Sequence, residues 1–504
     1  MKRFILLLFA FFLFQFSFSE ITFPELVKEK YNDVNITADS LYQYISTFND
    51  FPAKNDQGKT YLEYNPISDS LKAPYLFVIP EGYEHKEKTP LLVYLHGGIG
   101  RDDFIEEPAD VMEENPFLDM VKNLNWFILF PMANKQTEWW DKSGIANLDY
   151  QIKRIKSEYN IDDDRVYVTG FSDGGSGSFH LALCSPDHFA AFYPLNGMLT
   201  VGSFESSQPV YLPNLRNHHL YAINTDQDLL YPASEMHKIM DLALVANADL
   251  FYQEYWGYGH DFGYAEDALP ILKTDMNRHF RDPFPSKVYW ECSDIDFGRI
   301  DWLEIIAIDS TLSKASWQKE YNTKLLDKRI QFGLFLNEES GKILITDLVE
   351  NSAAQKMGLS KDDCILAMDG IQVKNIEELL NIRDSKNRGD NFSLTINRSG
   401  TELTLEGAFP DTTSYDAFNY GKPSGAVYAY YCANVFRIQT SRIMRITLYL
   451  SPQMINPKIP VKIIINDKIY FEGFIDGDKD VIWEEFKRNF DRSKIFSNKI
   501  TLDI

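Results

Sequence analysis

Val166-Tyr167-Val168-Thr169-Gly170-Phe171-Ser172-Asp173-Gly174-Gly175 decides how this chain is read. A β-branched, apolar run enters Gly-x-Ser-x-Gly and leaves into a helical pattern that continues to Phe189. Such a serine sits on a tight, strained strand-to-helix turn, and a side chain two residues to either side would collide with the neighbouring strand or helix. The turn lifts the Ser172 hydroxyl out of the sheet. Its place at a helix N-terminus adds free N–H groups and a positive dipole end, which favour a developing oxyanion. Upstream, Leu91-Leu92-Val93-Tyr94-Leu95-His96-Gly97-Gly98-Ile99-Gly100 reads as a buried strand running into His-Gly-Gly. The backbone amides of Gly98 and Asp173 are the expected oxyanion donors.

A serine nucleophile needs a base, and the base needs an orienting carboxylate, in chain order Ser, Asp, His on loops after strands. Residues 225–232, Thr-Asp-Gln-Asp-Leu-Leu-Tyr-Pro, offer Asp226 and Asp228 after an apolar run ending at Asn224. Residues 255–261 place His260 in a loop next to Gly259. Ser172, Asp228 and His260 form the expected set, with Asp226 the alternative acid. His218, His219 and His279 fall at a strand start and in a late helix, where a surface or core role is expected. Trp139-Trp140 carries two readings: stacking on a sugar or aryl group beside the site, or packing under the loop.

Apolar runs at 90–95, 126–131, 165–170, 219–224 and 250–256 alternate with helical patterns, which predicts a mostly parallel, doubly wound α/β sheet. With the motifs above, residues 75–280 resemble an α/β-hydrolase of the branch that holds polyhydroxyalkanoate depolymerase-like and feruloyl or acetyl-xylan esterase-like enzymes. In that branch the acid is followed four residues later by proline and the base is bracketed by glycine, as Asp228 with Pro232 and His260 with Gly259 are here. The resemblance implies Ser172 as nucleophile, Asp228 as orienter and His260 as base, with no metal or cofactor. Asn224-Thr225 departs from the His-Gly that often precedes the acid.

A second module lies at 332–405, where Phe332-Gly333-Leu334-Phe335 precedes residues 343–354, Met357-Gly358-Leu359 and residues 364–370. It resembles a PDZ domain. The resemblance implies that a peptide C-terminus adds as a strand, with the amides of Phe332, Gly333 and Leu334 receiving its carboxylate and a helix at 376–383 forming the other wall. Short β runs near 287–309 and after Tyr428 are expected to combine into a β-sandwich-like domain interrupted by the PDZ domain, with a hairpin turn at Asn466-Asp467. Residues 476–480 begin like a calcium loop, but Val481 and Lys487 replace the required Gly and Glu, so calcium is not expected. The expected boundaries are a signal peptide at 1–19, a catalytic domain at 20–284, a first sandwich part at 285–327, a PDZ domain at 328–410 and a second sandwich part at 411–504.

Composition bounds the partners. The 504 residues carry 50 Lys plus Arg against 73 Asp plus Glu, a formal charge of -23, which repels phosphate backbones and argues against nucleic acid. Met1-Lys2-Arg3, the apolar stretch 4–14 and Ser17-Phe18-Ser19 read as a secretory leader, which implies an extracytoplasmic compartment. Beyond it no apolar run reaches the roughly 20 residues that cross a bilayer. Four scattered cysteines indicate neither a zinc knuckle nor a disulfide scaffold. The expectation is a secreted serine hydrolase of carboxylic esters, possible substrates including acyl groups on polysaccharide. The alternatives are a serine peptidase of the prolyl-oligopeptidase kind and a peptide-binding scaffold with an inactive hydrolase fold.

Overall fold

The computed structural model describes residues 21–504 apart from Glu114, Ser207, Arg329 and Ser340. The leader expected at 1–19 lies outside the described residues. Among the described residues no helix is long and apolar enough to cross a membrane.

Eight strands form the main sheet: β1 (Thr60–Pro66), β2 (Lys72–Val78), β3 (Thr89–Leu95), β4 (Phe127–Pro131), β5 (Ile161–Phe171), β6 (Ala191–Leu195), β7 (His219–Thr225) and β8 (Leu250–Tyr255). Their order is β1-β2-β4-β3-β5-β6-β7-β8. β2 runs antiparallel to β1 and β4, and all other neighbours are parallel. This is the doubly wound α/β-hydrolase sheet. The central strands are buried on both faces because helices cover each side, so they read as continuous apolar runs rather than alternating ones. All five predicted runs are strands. β6 is a further strand that the apolar runs do not reveal, because its Pro194 cannot donate to a ladder and so argues against a central strand. β1 and β2 are likewise hidden in the sequence, being an antiparallel pair outside the helical alternation.

Past residue 285 a four-stranded sheet (Arg299–Ile300, Leu303–Ile308, Ile443–Leu450, Asn498–Asp503) faces a five-stranded one (Lys287–Cys292, Gly425–Cys432, Val435–Ser441, Val461–Ile465, Lys468–Gly473). Trp290, Trp302, Phe436 and Ile446 fill the shared core. Strands from both sides of the PDZ segment thus build one sandwich. Asn466 and Asp467, at φ 48° and 65°, make the hairpin turn between two of them. Asp478, in the calcium-like stretch, instead caps the helix Lys479–Asn489 by accepting from Asp480 N. That helix packs against the N-terminal helices Phe23–Asn32 and Ala38–Ser46 through Phe23, Leu41, Ile45, Ile482 and Phe486. The first residues assigned to the catalytic domain therefore share a core with the end of the chain.

Two attachments differ in kind. Ion pairs bind the hydrolase to the C-terminal segment: Asp491 with Arg281 at 2.7 Å and Arg492 with Asp163 at 3.0 Å, both buried, and Lys494 with the partly buried Asp187 at 3.2 Å. The PDZ module instead stands on a two-stranded stem, Lys324–Asp327 paired with Thr413–Asp416. Leu325 of the stem enters the hydrolase core, and Leu326 N donates to Glu235 Oε2 at 2.9 Å.

Candidate active site

β5 delivers Ser172 at φ 61°, ψ −121°, immediately before the helix Asp173–Cys184. The flanking glycines are demanded by close approach. A Cβ on Gly170 would lie 2.4 Å from the Gly174 carbonyl oxygen, and one on Gly174 would lie 1.9 Å from that of Leu95. The strained serine is thus held between two crowded backbones.

After β7, Asp228 is buried while Asp226 is exposed, and it is Asp228 Oδ2 that accepts from His260 Nδ1 at 2.7 Å. Asn196 Nδ2 donates to the same oxygen at 2.9 Å, and the amides of Leu230 and Tyr231 donate to Oδ1 at 2.8 and 2.9 Å. Burial pushes the Asp228 carboxyl up, but the hydrogen bond and charge of His260, with those from Tyr231 N and Asn196, outweigh it and hold it below the ordinary Asp value. Asp226 accepts from Gly257 N at 2.6 Å, tying the acid loop to the loop that carries His260. The pairing with His260 therefore separates the two candidate acids.

With Nδ1 committed to Asp228, the other nitrogen of His260 faces away from the acid. The imidazole lies against Phe171, the residue before Ser172, with ring centroids 4.8 Å apart. Among the described residues no hydrogen bond joins Ser172 Oγ to His260; such contacts are often loose until a substrate is bound.

The expected oxyanion donors also fall beside the serine. A Cβ on Gly97 would lie 2.8 Å from Ser172 Cβ, and Gly98 follows at φ 65°. No acceptor within the described residues engages the amide of Gly98 or of Asp173. His96 fixes this loop from below. Its Nδ1 donates to the Gly97 carbonyl at 2.8 Å while Nε2 accepts from Ala133 N at 3.0 Å, a pattern that requires the neutral ring. Burial pulls its pKa down to about 4, in keeping with that tautomer.

Several participants escaped the sequence reading. The Asp173 carboxylate accepts from Ile99 N at 3.1 Å and from Tyr231 OH at 3.0 Å, joining the oxyanion loop, the nucleophile turn and the acid loop. Tyr264 OH donates to Asn196 Oδ1 at 2.7 Å and so orients the amide that holds Asp228. Leu229, Leu230 and Trp256, on the acid and base loops, are exposed. Trp256 has 74% of its surface open and offers a large apolar face beside the base loop.

Trp139 and Trp140 correct the stacking expectation. They are only 2% and 4% exposed, Trp139 Nε1 donates to the His96 carbonyl at 3.0 Å, and Trp140 Nε1 donates to Glu138 at 2.8 Å. Both pack in the core, so neither ring is open to a ligand. The signal lay in the helix opposite: a Cβ on Gly177 would stand 2.5 Å from Trp139 Cβ, so the small-residue run 174–178 makes room for the indole.

In the PDZ module Phe332 packs on Phe392 and Phe409, and its carbonyl accepts from Ala354 N at 2.9 Å. Gly333 turns the chain at φ 76°, where a Cβ would lie 2.2 Å from Ser352 Cβ. Leu334 opens the strand Leu334–Glu339, which ends the sheet order and leaves one edge unpaired among the described residues. The helix Ile376–Asp384 stands beside that strand, with Ile376 N donating to Glu338.

Comparison with known proteins finds one family match and several relatives. Residues 331–407 match the PDZ domain family. The chain is 28% identical over 142 residues to the bifunctional acetylxylan esterase/xylanase of Neocallimastix patriciarum, covering 27% of this chain and 19% of that protein. It is 26% identical over 154 residues to a probable feruloyl esterase C of Aspergillus terreus, covering 29% and 54%. The matched parts thus span from about a fifth to about half of the length of these relatives. Among solved structures, a thermostable esterase is similar with a TM-score of 0.35 and 21% identity, over 44% of this chain and 63% of that one. The chain therefore carries a PDZ domain and has esterases among its relatives.

Proposed function

We propose that this protein is an extracytoplasmic serine hydrolase that cleaves carboxylic esters through an acyl-enzyme on Ser172. The observation that carries the reading is the His260–Asp228 pair, with all four hydrogen bonds to Asp228 made, set beside a serine on a strained turn. His260 takes the Ser172 proton as Oγ attacks the ester carbonyl carbon, and the amides of Gly98 and Asp173 receive the oxyanion. Collapse breaks the carbon–oxygen bond to the leaving alcohol, which takes the proton from His260. Water, deprotonated by His260, then attacks the acyl-enzyme, and the carboxylic acid leaves as Ser172 regains its proton. Asp228 keeps the imidazole in the required tautomer and stabilises its charged form.

The names of the relatives, acetylxylan esterase and feruloyl esterase, support acyl groups carried on polysaccharide as the substrate class. Leu229, Leu230 and Trp256 supply the apolar rim against which an acyl or aryl group would lie. The PDZ module adds a peptide-binding function. The amides of Phe332, Gly333 and Leu334 would receive a terminal carboxylate while the peptide pairs with the open edge of Leu334–Glu339.

The test is turnover of p-nitrophenyl acetate, methyl ferulate and acetylated xylan beside a panel of peptide p-nitroanilides, with wild type and Ser172→Ala compared. Ester cleavage abolished in the variant is the expected result. Cleavage of anilides alone would replace the esterase reading with a peptidase, and no cleavage of either class would leave a binding scaffold.

A further inference from the structure

At the end of the sheet opposite Ser172, β7 begins with His219 while the helix Ala265–Met276 brings Asp275 and, just past its end, His279. Because β5 and β7 run parallel through β6, the start of β7 lies at the other end of the sheet from the nucleophile turn. His219 and His279 stack face to face, with centroids 3.6 Å apart and planes 4° from parallel. Asp275 Oδ1 lies 3.2 Å from His219 Nε2 and 3.2 Å from His279 Nδ1. The His219 Nε2 atom is buried, yet it makes no hydrogen bond of acceptable geometry even with that carboxylate so near.

We propose that His219, Asp275 and His279 bind a divalent transition-metal ion, zinc above all, as a structural site that pins the helix Ala265–Met276 to the start of β7. One ring nitrogen from each histidine and one carboxylate oxygen all lie within 4.8 Å of one another. With bonds of about 2.0–2.1 Å, ligand atoms around a tetrahedral zinc stand roughly 3.3 Å apart, close to both separations from Asp275 Oδ1. Two imidazoles and a single carboxylate suit zinc, nickel or copper rather than the all-oxygen shells of calcium and magnesium.

The surroundings suit a metal site as well. His219 Nδ1 lies 3.2 Å from Asp249 Oδ1, the carboxylate–histidine arrangement that fixes a ligating ring. Tyr193 OH donates to Asp275 Oδ1 at 3.0 Å and orients the carboxylate. His279 Nδ1, 3.0 Å from the Asp275 carbonyl oxygen, would give up that contact, and its ring would swing out of the stack with His219, because one ion cannot lie in two parallel ring planes 3.6 Å apart. Its side chain is one-third exposed, which leaves room for the ring to turn and provides a route for the ion. The fourth position falls to water.

The test uses the full chain, stripped with EDTA and dialysed, then titrated with Zn2+ by calorimetry and with Co2+ by visible absorption, alongside thermal melting. Wild type should bind one equivalent, give the absorption of four-coordinate Co2+, and melt higher with zinc than without. His279→Gln, at a partly exposed position, should weaken binding at least about tenfold and abolish the zinc-dependent rise in Tm. His237→Gln is the control, because His237 also faces carboxylates, Asp241 and Glu254, and should leave binding unchanged. Ester turnover should be the same with and without the ion. Equal binding by wild type and His279→Gln, or no binding by wild type, would overturn the proposal and leave the cluster as an ion-pair network.

Discussion

The turn at Ser172 and the turn at Gly333 both hold the backbone at positive φ, 61° and 76°, yet their surroundings differ sharply. Around Ser172 the anchoring groups have partners: Asp228 receives four hydrogen bonds, Asp173 ties two loops together, and His96 uses both ring nitrogens. Around Gly333 the carbonyls are anchored, but the adjacent strand leaves an edge open. The difference follows from what each turn is proposed to do. Stabilising a transition state requires dipoles fixed beforehand, whereas binding by strand addition requires an edge that is incomplete until the ligand arrives.

The comparison breaks most directly at the nucleophile. Ser172→Ala should lower ester turnover on the order of 10^6-fold with melting unchanged, measured by initial rates and calorimetry. Asp228→Asn should cost about 10^4-fold, because an amide at that position favours the wrong tautomer of His260. If Asp226→Asn had the larger effect, the geometric choice of acid would be wrong.

Next comes stability. Asp491→Ala leaves the guanidinium of Arg281 short of a partner in a site closed to water and should destabilise the hydrolase–sandwich unit by about 3–5 kcal/mol, read by denaturant unfolding. The PDZ module, on its stem, should keep its own unfolding transition.

Acid should separate the two regions in the same way. All nine histidines lie between residues 85 and 279, and burial pulls His96 and His180 down from 6.5 to about 4. A depressed pKa means that the unfolded chain takes up the proton first. The stability these two rings contribute is therefore complete above pH 6.5 and declines as pH falls toward 4, by about 1.4 kcal/mol per unit for each histidine. The PDZ segment carries no histidine and should show no such loss over that window, which hydrogen exchange across the range would resolve.

The smallest expected effect is the sharpest contrast. Gly333→Ala places a Cβ against Ser352 and should abolish binding of C-terminal peptides. Ester turnover should stay within about twofold, since a remote change of this kind leaves the catalytic groups in place. Peptide binding is read by fluorescence anisotropy with a random C-terminal library.

How much of this was legible depended on whether a residue's partner was local. The Ser172 turn, the His-Gly-Gly loop and the Asn466-Asp467 hairpin are short-range patterns, and each stands where its motif placed it. Chain order and the Asp228–Pro232 spacing pointed to Asp228 and His260, and the folded loops pair His260 with Asp228 rather than with Asp226. Asn196, Tyr231 and Tyr264 follow no periodic rule and meet the acid only through tertiary structure. Trp139 and Trp140 carry two readings in the sequence because an aromatic pair in a loop looks the same whether it faces a ligand or a glycine-lined helix, and the structure takes the packed one. The packing of the N-terminal helices on Lys479–Asn489 spans nearly the whole chain and leaves no local trace.

The most direct measurement is intact-protein and peptide mass spectrometry after reaction with a fluorophosphonate probe. One adduct per chain is expected, located on the peptide that contains Ser172 and absent from Ser172→Ala. Labelling that persists in the variant, or maps to another residue, would contradict it.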